Sequence, residues 1–215
     1  MKAKLLSAIM LVVGVISFSA MSARGQDKPA DQKAKPPMPA SLQEAEPAAP
    51  ASVRSPAEKY FSDVELINQD GQKMRFYSDV LKDKVVVINT FFITCTSVCP
   101  PLNRNMEKVQ DALGDRLGKD AFLVSISVDP AADTPPRLKE YSRRFHARPG
   151  WIFLTGKKEN VDWALYKLGQ YVENKDSHTT IIIIGNEPKG LWKKAFGMAK
   201  ADELITIVED VINDR

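Results

Sequence analysis

Cysteine and histidine are scarce in this sequence, with two of each in 215 residues. So few cysteines exclude a disulfide-rich miniprotein. The 11 glycines follow no repeating pattern, which excludes a collagen-like rod, and neither a glycine-rich phosphate loop nor an internal repeat is found. Long apolar runs are lacking apart from one at the start, so the chain is not a membrane bundle. An excess of one charge is missing as well. The sequence carries 30 basic and 27 acidic side chains, but Lys2, Lys4 and Arg24 lie in a first stretch of 25 residues that holds no acid, which leaves 27 of each beyond it. A neutral remainder has no electrostatic footprint for nucleic acid. What is present, 44% apolar and 27% charged residues, suffices for one globular domain and an additional segment.

The additional segment comes first. Nineteen uncharged residues, 5–23, follow the basic start at Lys2 and Lys4, which is the pattern of an export signal. About 18 or more apolar residues span a bilayer, whereas a cleaved signal needs an apolar core of about 7–15. Residues 1–25 therefore read as a signal peptide or as a membrane anchor through 5–23. Either way the lysines favour a cytoplasmic N-terminus and send the rest across the membrane, which predicts a place in the periplasm or cell envelope. Residues 26–56 hold seven of the 14 prolines among Ala, Lys, Glu and Gln. That composition buries too little apolar surface to fold and predicts a disordered linker, reaching on the order of 90 Å at about 3.1 Å per residue. The folded domain is expected over 57–215.

Within it, residues 64–67 and 73–76 flank Asn68-Gln69-Asp70-Gly71, whose Asp-Gly pair suits a hairpin. Residues 85–92 form a near-continuous apolar and β-branched run, the pattern of a central strand buried on both faces. Leu102, Met106, Val109 and Leu113 lay one apolar stripe along a helix. A second buried strand is expected at 122–128, then a helix opened by Asp133-Thr134-Pro135 with Leu138, Tyr141 and Phe145 on one side. A strand at 151–154, a helix at 161–168, a strand at 178–184, its antiparallel partner at 191–196 and an amphipathic C-terminal helix complete the order. This predicts an α/β fold, a mixed sheet with flanking helices and an N-terminal β-hairpin extension.

The chemistry gathers at Cys95 and Cys99, in Phe92-Ile93-Thr94-Cys95-Thr96-Ser97-Val98-Cys99-Pro100-Pro101, between the first buried strand and the first helix. Open α/β sheets place binding sites at the carboxyl ends of strands. Pro101 restricts Pro100 to extended geometry, so the regular helix is expected to begin at Pro101. The positive end of a helix stabilises thiolate, the form that attacks and that binds metal. A spacing of four allows either a disulfide or a shared ion. A disulfide here would close a tight loop and remove little chain entropy. His146 lies among Arg143, Arg144 and Arg148 and reads as a surface residue, while His178 opens the isoleucine-rich strand.

Taken in order, Cys95-x-x-x-Cys99-Pro100 after an apolar strand, Val128-Asp129-Pro130 followed by Asp133-Thr134-Pro135, Phe153-Leu154-Thr155-Gly156, and His178-Thr179 before the isoleucine run resemble the Sco/SenC family over roughly residues 60–211. The resemblance implies a thioredoxin-like fold, an envelope location and a copper metallochaperone. In that family two cysteines and one histidine bind copper for the binuclear copper centre of cytochrome c oxidase. It carries the ligand roles to Cys95, Cys99 and His178. Thiolates select Cu(I) and imidazole also accommodates Cu(II), so copper in either state is the expected cofactor; the set is one ligand short of a closed structural zinc site. The implied partners are the copper-centre subunit of cytochrome c oxidase or another cuproprotein, and a thiol reductant, because export exposes the pair to oxidation. Asp133 reads as helix-capping. Asp129 reads as a residue orienting His178 or a backbone amide behind the metal. Two departures stand out: Thr96-Ser97-Val98 occupy the loop where the family commonly has Pro and Asp, and the segment before the histidine, 173–177, is short.

The alternative is an exported thiol-disulfide oxidoreductase using Cys95 and Cys99 as a redox couple. Reductants of this fold usually have two residues between the cysteines and a cis-proline facing them. Here there are three, and His178 stands at the proline's expected place. A peroxidase is disfavoured because Phe92 stands where its motif has proline. A plain assembly module with a structural disulfide would leave His178 dispensable.

Overall fold

The computed structural model describes residues 35–43 and 55–214, so the leader 1–25 and much of the stretch 26–56 lie outside the described residues. Two buried runs set the sheet. β3 (Val85–Phe91) and β4 (Phe122–Ser127) pair in parallel from Val86↔Phe122 to Phe91↔Ser127, and β5 (Trp151–Thr155) extends the parallel set beyond β4. On the other side of β3, β6 (Ile181–Asn186) runs antiparallel and turns into β7 (Leu191–Phe196). The expected hairpin is formed by β1 (Glu65–Asn68) and β2 (Lys73–Arg75), and β1 docks antiparallel on β5. Among the described residues this gives one mixed sheet in the order β2-β1-β5-β4-β3-β6-β7.

Successive side chains of a strand face opposite ways, so β3 feeds two cores. Val87 and Phe91 join one apolar cluster, and Val86 and Ile88 the other. The first is covered by α3 (Cys99–Leu113), α4 (Pro135–Arg143) and α6 (Ala201–Ile212), which contribute Leu102, Met106, Leu138 and Leu204. The second is covered by α2 (Pro56–Phe61), a π-helical turn over Phe76–Leu81 and α5 (Lys158–Lys167). Each such side chain, fully buried, is worth about 1.5–3 kcal/mol. Helices therefore lie on both faces, as the order of elements predicts. No helix among the described residues is long and apolar enough to cross a membrane.

Among the elements that escape the sequence reading, two bear on the second core. The single turn α1 (Ala40–Gln43) falls in the stretch expected to be a disordered linker, where Pro36 and Pro39 are buried and Leu42 packs against the second cluster. Proline loses little conformational freedom on burial, so a proline-rich segment can lie on a core at low entropic cost. The π-helical turn buries Phe76, Tyr77, Val80 and Leu81, and its first N–H groups, those of Tyr77 and Ser78, donate to the Asp63 carboxylate at 3.0 and 2.7 Å. That cap reaches back 14 and 15 residues, a separation that local pattern does not show.

A buried polar chain ties the site-bearing elements together. The Trp151 indole N–H donates to Ser125 Oγ (3.0 Å), the Ser125 hydroxyl donates to Asn89 Oδ1 (2.6 Å), Asn89 Nδ2 donates to Asn103 Oδ1 (2.8 Å) and Asn103 Nδ2 donates to the Tyr141 hydroxyl (3.0 Å). It runs through β5, β4, β3, α3 and α4. Breaking one link leaves a buried group unpaired at about 1–3 kcal/mol, so the chain fixes α3 against the sheet and, with it, the cysteine that opens α3.

Candidate metal centre

After β3 the chain turns at Phe92, whose carbonyl accepts the Cys95 N–H at 3.1 Å, and α3 starts at Cys99. The helix thus begins two residues before the expected Pro101. The reason is local: Pro100 and Pro101 occupy the first turn, where backbone N–H groups have no helical acceptor and proline loses nothing. The Cys99 N–H donates to Cys95 Sγ at 3.4 Å, so the first cysteine caps the helix that the second one opens. Both cysteines are free and buried, with Cys95 9% exposed and Cys99 fully enclosed.

The two thiols are made unequal by this arrangement. Burial pushes Cys95 up, but hydrogen bonds from Cys99 and Ser97 outweigh it and hold the thiol below its ordinary value. For Cys99, burial and then the neighbouring Cys95 push the thiol up to about 12. Near neutral pH the pair is therefore one thiolate-prone sulfur at a helix N-terminus and one retained thiol.

The third donor comes from the segment leading into β6, the antiparallel neighbour of β3. A short 3-10 turn, Lys175–Ser177, ends at His178, and β6 starts only at Ile181. His178 is thus the end of an arm leading into the strand and not its first residue. Its Nδ1 lies 2.8 Å from the Lys175 carbonyl, and Nε2 lies 3.3 Å from Cys99 Sγ. A carbonyl only accepts, so Nδ1 carries the hydrogen, and in the neutral ring the Nε2 lone pair faces Cys99 Sγ. The ring stands edge-on to Phe92, centroids 5.2 Å apart. Among the described residues Cys95, Cys99 and His178 place one donor atom each within 4.8 Å of one another.

Among the described residues Asp129 makes no hydrogen bond to a sulfur or to the ring. Its carboxylate takes the Lys175 ammonium at 2.6 Å, and Lys175 is the residue whose carbonyl receives His178 Nδ1. Asp133 is not a helix cap. Thr134 stands at the cap position, while Asp133, wholly buried, accepts the Ile93 N–H (3.1 Å) and the Ser127 hydroxyl (2.7 Å) on Oδ2 and has no partner on Oδ1. It pins the base of the cysteine loop, and burial raises its pKa. His146 lies apart from the centre. It is exposed, and its Nδ1 sits 2.6 Å from Glu107 Oε1, so an acid of α3 stands beside the arginines that the local sequence shows. Lys175 and Phe92 frame the site across tens of residues, through Asp129 and His178, without any signal in sequence spacing, and Ser127 joins the nearby Asp129 and Asp133 behind it.

The donor set fits a soft cation. Two sulfurs and one imidazole nitrogen match Cu(I), with the imidazole extending the range to Cu(II), and the set lacks the fourth protein ligand of a structural zinc site. Comparison with known proteins bears on the same region. The SCO2-like protein of Rickettsia conorii is 37% identical over 103 residues, 48% of each chain. The chain spans about half the length of the curated relatives it matches. Among solved structures, a SCO1/SenC family lipoprotein from Bacillus anthracis is 28% identical with a TM-score of 0.58, covering 68% of this chain and 91% of that one. Arabidopsis thaliana ScoI with copper bound, 24% identical, shares the fold with a TM-score of 0.60 over 73% of this chain and 99% of its own. The SCO1/SenC family model matches residues 53–213, which takes in both cysteines, His178 and every strand of the sheet, and the chain belongs to the SCO1/SenC family.

Proposed function

We propose that this protein is a copper metallochaperone that holds copper between Cys95, Cys99 and His178 and passes it to a cuproprotein, the binuclear copper centre of cytochrome c oxidase being the acceptor that the family resemblance implies. The observation that carries the reading is the convergence of two sulfurs and an imidazole nitrogen with its lone pair turned inward, all within 4.8 Å. An open, three-donor set suits transfer, because an acceptor's ligand can enter before a donor leaves. Loading removes the Cys99 proton, since the thiolate is the metal-binding form. Residues 1–25 are read as the export segment, cleaved or retained as an anchor, and the domain of 57–215 as the part working in the periplasm or cell envelope. A thiol reductant is required wherever that compartment oxidises the pair.

The test is Cu(I) titration of the protein before and after thiol reduction, at equal concentration. One equivalent is expected to bind to the reduced protein and little to the oxidised one, because a disulfide offers no thiolate. Equal binding in both states would remove the sulfurs as ligands. A second reading, thiol-disulfide exchange, draws on the inequality of the two thiols: Cys95 is the attacking sulfur and Cys99 the resolving one. It is distinguished by His178→Ala, which weakens copper binding while leaving exchange with a small disulfide unchanged.

A further inference from the structure

The histidine arm has little to hold it. Its turn spans three residues, Lys175–Ser177, and no strand pairing begins until Ile181. Asn174 caps the turn by accepting the Asp176 N–H, and beyond His178 the Thr179 hydroxyl donates to Gln170 Oε1; the link from the arm to the cysteine side of the centre runs through Lys175. The Lys175 ammonium meets the Asp129 carboxylate at 2.6 Å and lies 5.2 Å from the centroid of the Phe92 ring, the same ring that stands against His178. The Lys175 carbonyl accepts both the His178 Nδ1 hydrogen (2.8 Å) and the His178 backbone N–H (3.1 Å). On the other side, the Asp129 N–H donates to Ser127 Oγ (3.0 Å), and the Ser127 hydroxyl donates to Asp133, which holds the Ile93 N–H of the cysteine loop. An unbroken chain of polar contacts therefore runs from the cysteine loop through Asp133, Ser127, Asp129 and Lys175 to the imidazole.

We propose that Lys175 is a positioning residue that clamps His178 over the cysteine pair through Asp129 and Phe92, and that this clamp determines how well the site holds Cu(II) relative to Cu(I). The second half rests on the copper reading above; the first concerns the apo protein alone. The selectivity follows from donor chemistry. Two soft thiolates suffice for Cu(I), whereas Cu(II) draws on the imidazole. Release of the arm removes the nitrogen and leaves the sulfurs, which sit in the core, where they are.

The experiment compares wild type, Lys175→Met, Lys175→Arg and Asp129→Asn, with Lys189→Met as a surface control whose ammonium pairs with Asp214 instead. In the reduced apo protein, NMR contacts between the Phe92 and His178 rings report the arm. With copper, affinity for Cu(I) is read by competition with a chromophoric chelator, and Cu(II) by thiolate charge-transfer absorption and nitrogen hyperfine structure in the EPR spectrum. Lys175→Met and Asp129→Asn are expected to lose the ring contacts, to weaken Cu(II) binding about tenfold or more with loss of the nitrogen signature, and to change Cu(I) affinity several times less. Lys175→Arg, which keeps charge and stacking, restores all three, and Lys189→Met behaves as wild type. Ring contacts that persist in Lys175→Met overturn the clamp. Ring contacts that vanish while Cu(I) and Cu(II) affinities fall equally overturn the selectivity. Wild-type protein that binds no copper overturns the copper reading, and the ring contacts then still decide for or against the clamp.

Discussion

The cysteine arm of the centre belongs to the core, whereas the histidine arm is held to it by polar contacts near the surface. Cys99 is fully enclosed and opens a helix of 15 residues whose apolar stripe packs on the sheet, and a buried Asn89–Asn103–Tyr141 chain ties that helix to its neighbours. His178 is half-exposed and ends a turn of three residues fixed by Lys175 and Asp129. The difference divides the labour of the site. In the proposed copper site the rigid half would supply affinity for a soft ion, and the adjustable half a ligand gained or released as copper enters or leaves.

Substitutions on the rigid side are expected to have the largest effects. Cys95→Ser and Cys99→Ser each delete a ligand, and the copper affinity measured by chelator competition is expected to fall beyond the roughly 10–100-fold that loss of a supporting residue costs. A smaller loss than that of Lys175→Met would mean that the sulfurs are not the anchor. Next is the peg beneath the loop. Asp133→Ala leaves the Ile93 N–H and the Ser127 hydroxyl without their acceptor, and denaturant unfolding of the apo protein should show a loss of about 1–3 kcal/mol per group left unpaired. Burial raises the Asp133 pKa, so the native state binds this proton more tightly than the unfolded chain does. The cost of its buried charge is present above the native pKa and fades as pH falls through it. Asp133→Asn should abolish that gain on acidification, and an unchanged pH profile would place the carboxylate's proton elsewhere.

A milder contrast lies within the cysteine pair. Cys95 is held below its ordinary thiol value and Cys99 is pushed up to about 12, so iodoacetamide at neutral pH is expected to label Cys95 at least about tenfold faster, in proportion to thiolate. Equal rates, read by peptide mass spectrometry, would remove the asymmetry. The smallest effect is expected from His146→Ala. Its imidazole is exposed and paired with Glu107, an interaction worth about 0–1 kcal/mol, and copper affinity should stay within about twofold.

Chemistry-bearing residues of the rigid half are legible because they sit on strong local patterns: the apolar run of β3, the cysteine spacing, the stripe of α3. The start of α3 is misplaced by two residues since the rule for a residue before proline competes with proline's fitness for the first helical turn, and at Cys99 the second prevails. The adjustable half is legible only at His178. Lys175 looks like one of many surface lysines, and its pairing with Asp129 spans 46 residues. Asp133 has the look of a cap, with Thr134 and Pro135 following, but its side chain turns inward to the cysteine loop. Residues whose role is to join distant segments carry no periodicity, and only the fold reveals them.

In the proposed site, two sulfurs and one nitrogen of this chain hold a single copper. X-ray absorption at the copper edge of the loaded, reduced protein tests it most directly, compared with His178→Ala. Two sulfur neighbours and one imidazole nitrogen are expected in the wild type, with the imidazole signature absent from the variant and both sulfurs retained. A first shell of nitrogen and oxygen alone, or an imidazole signature that survives in His178→Ala, would contradict the account.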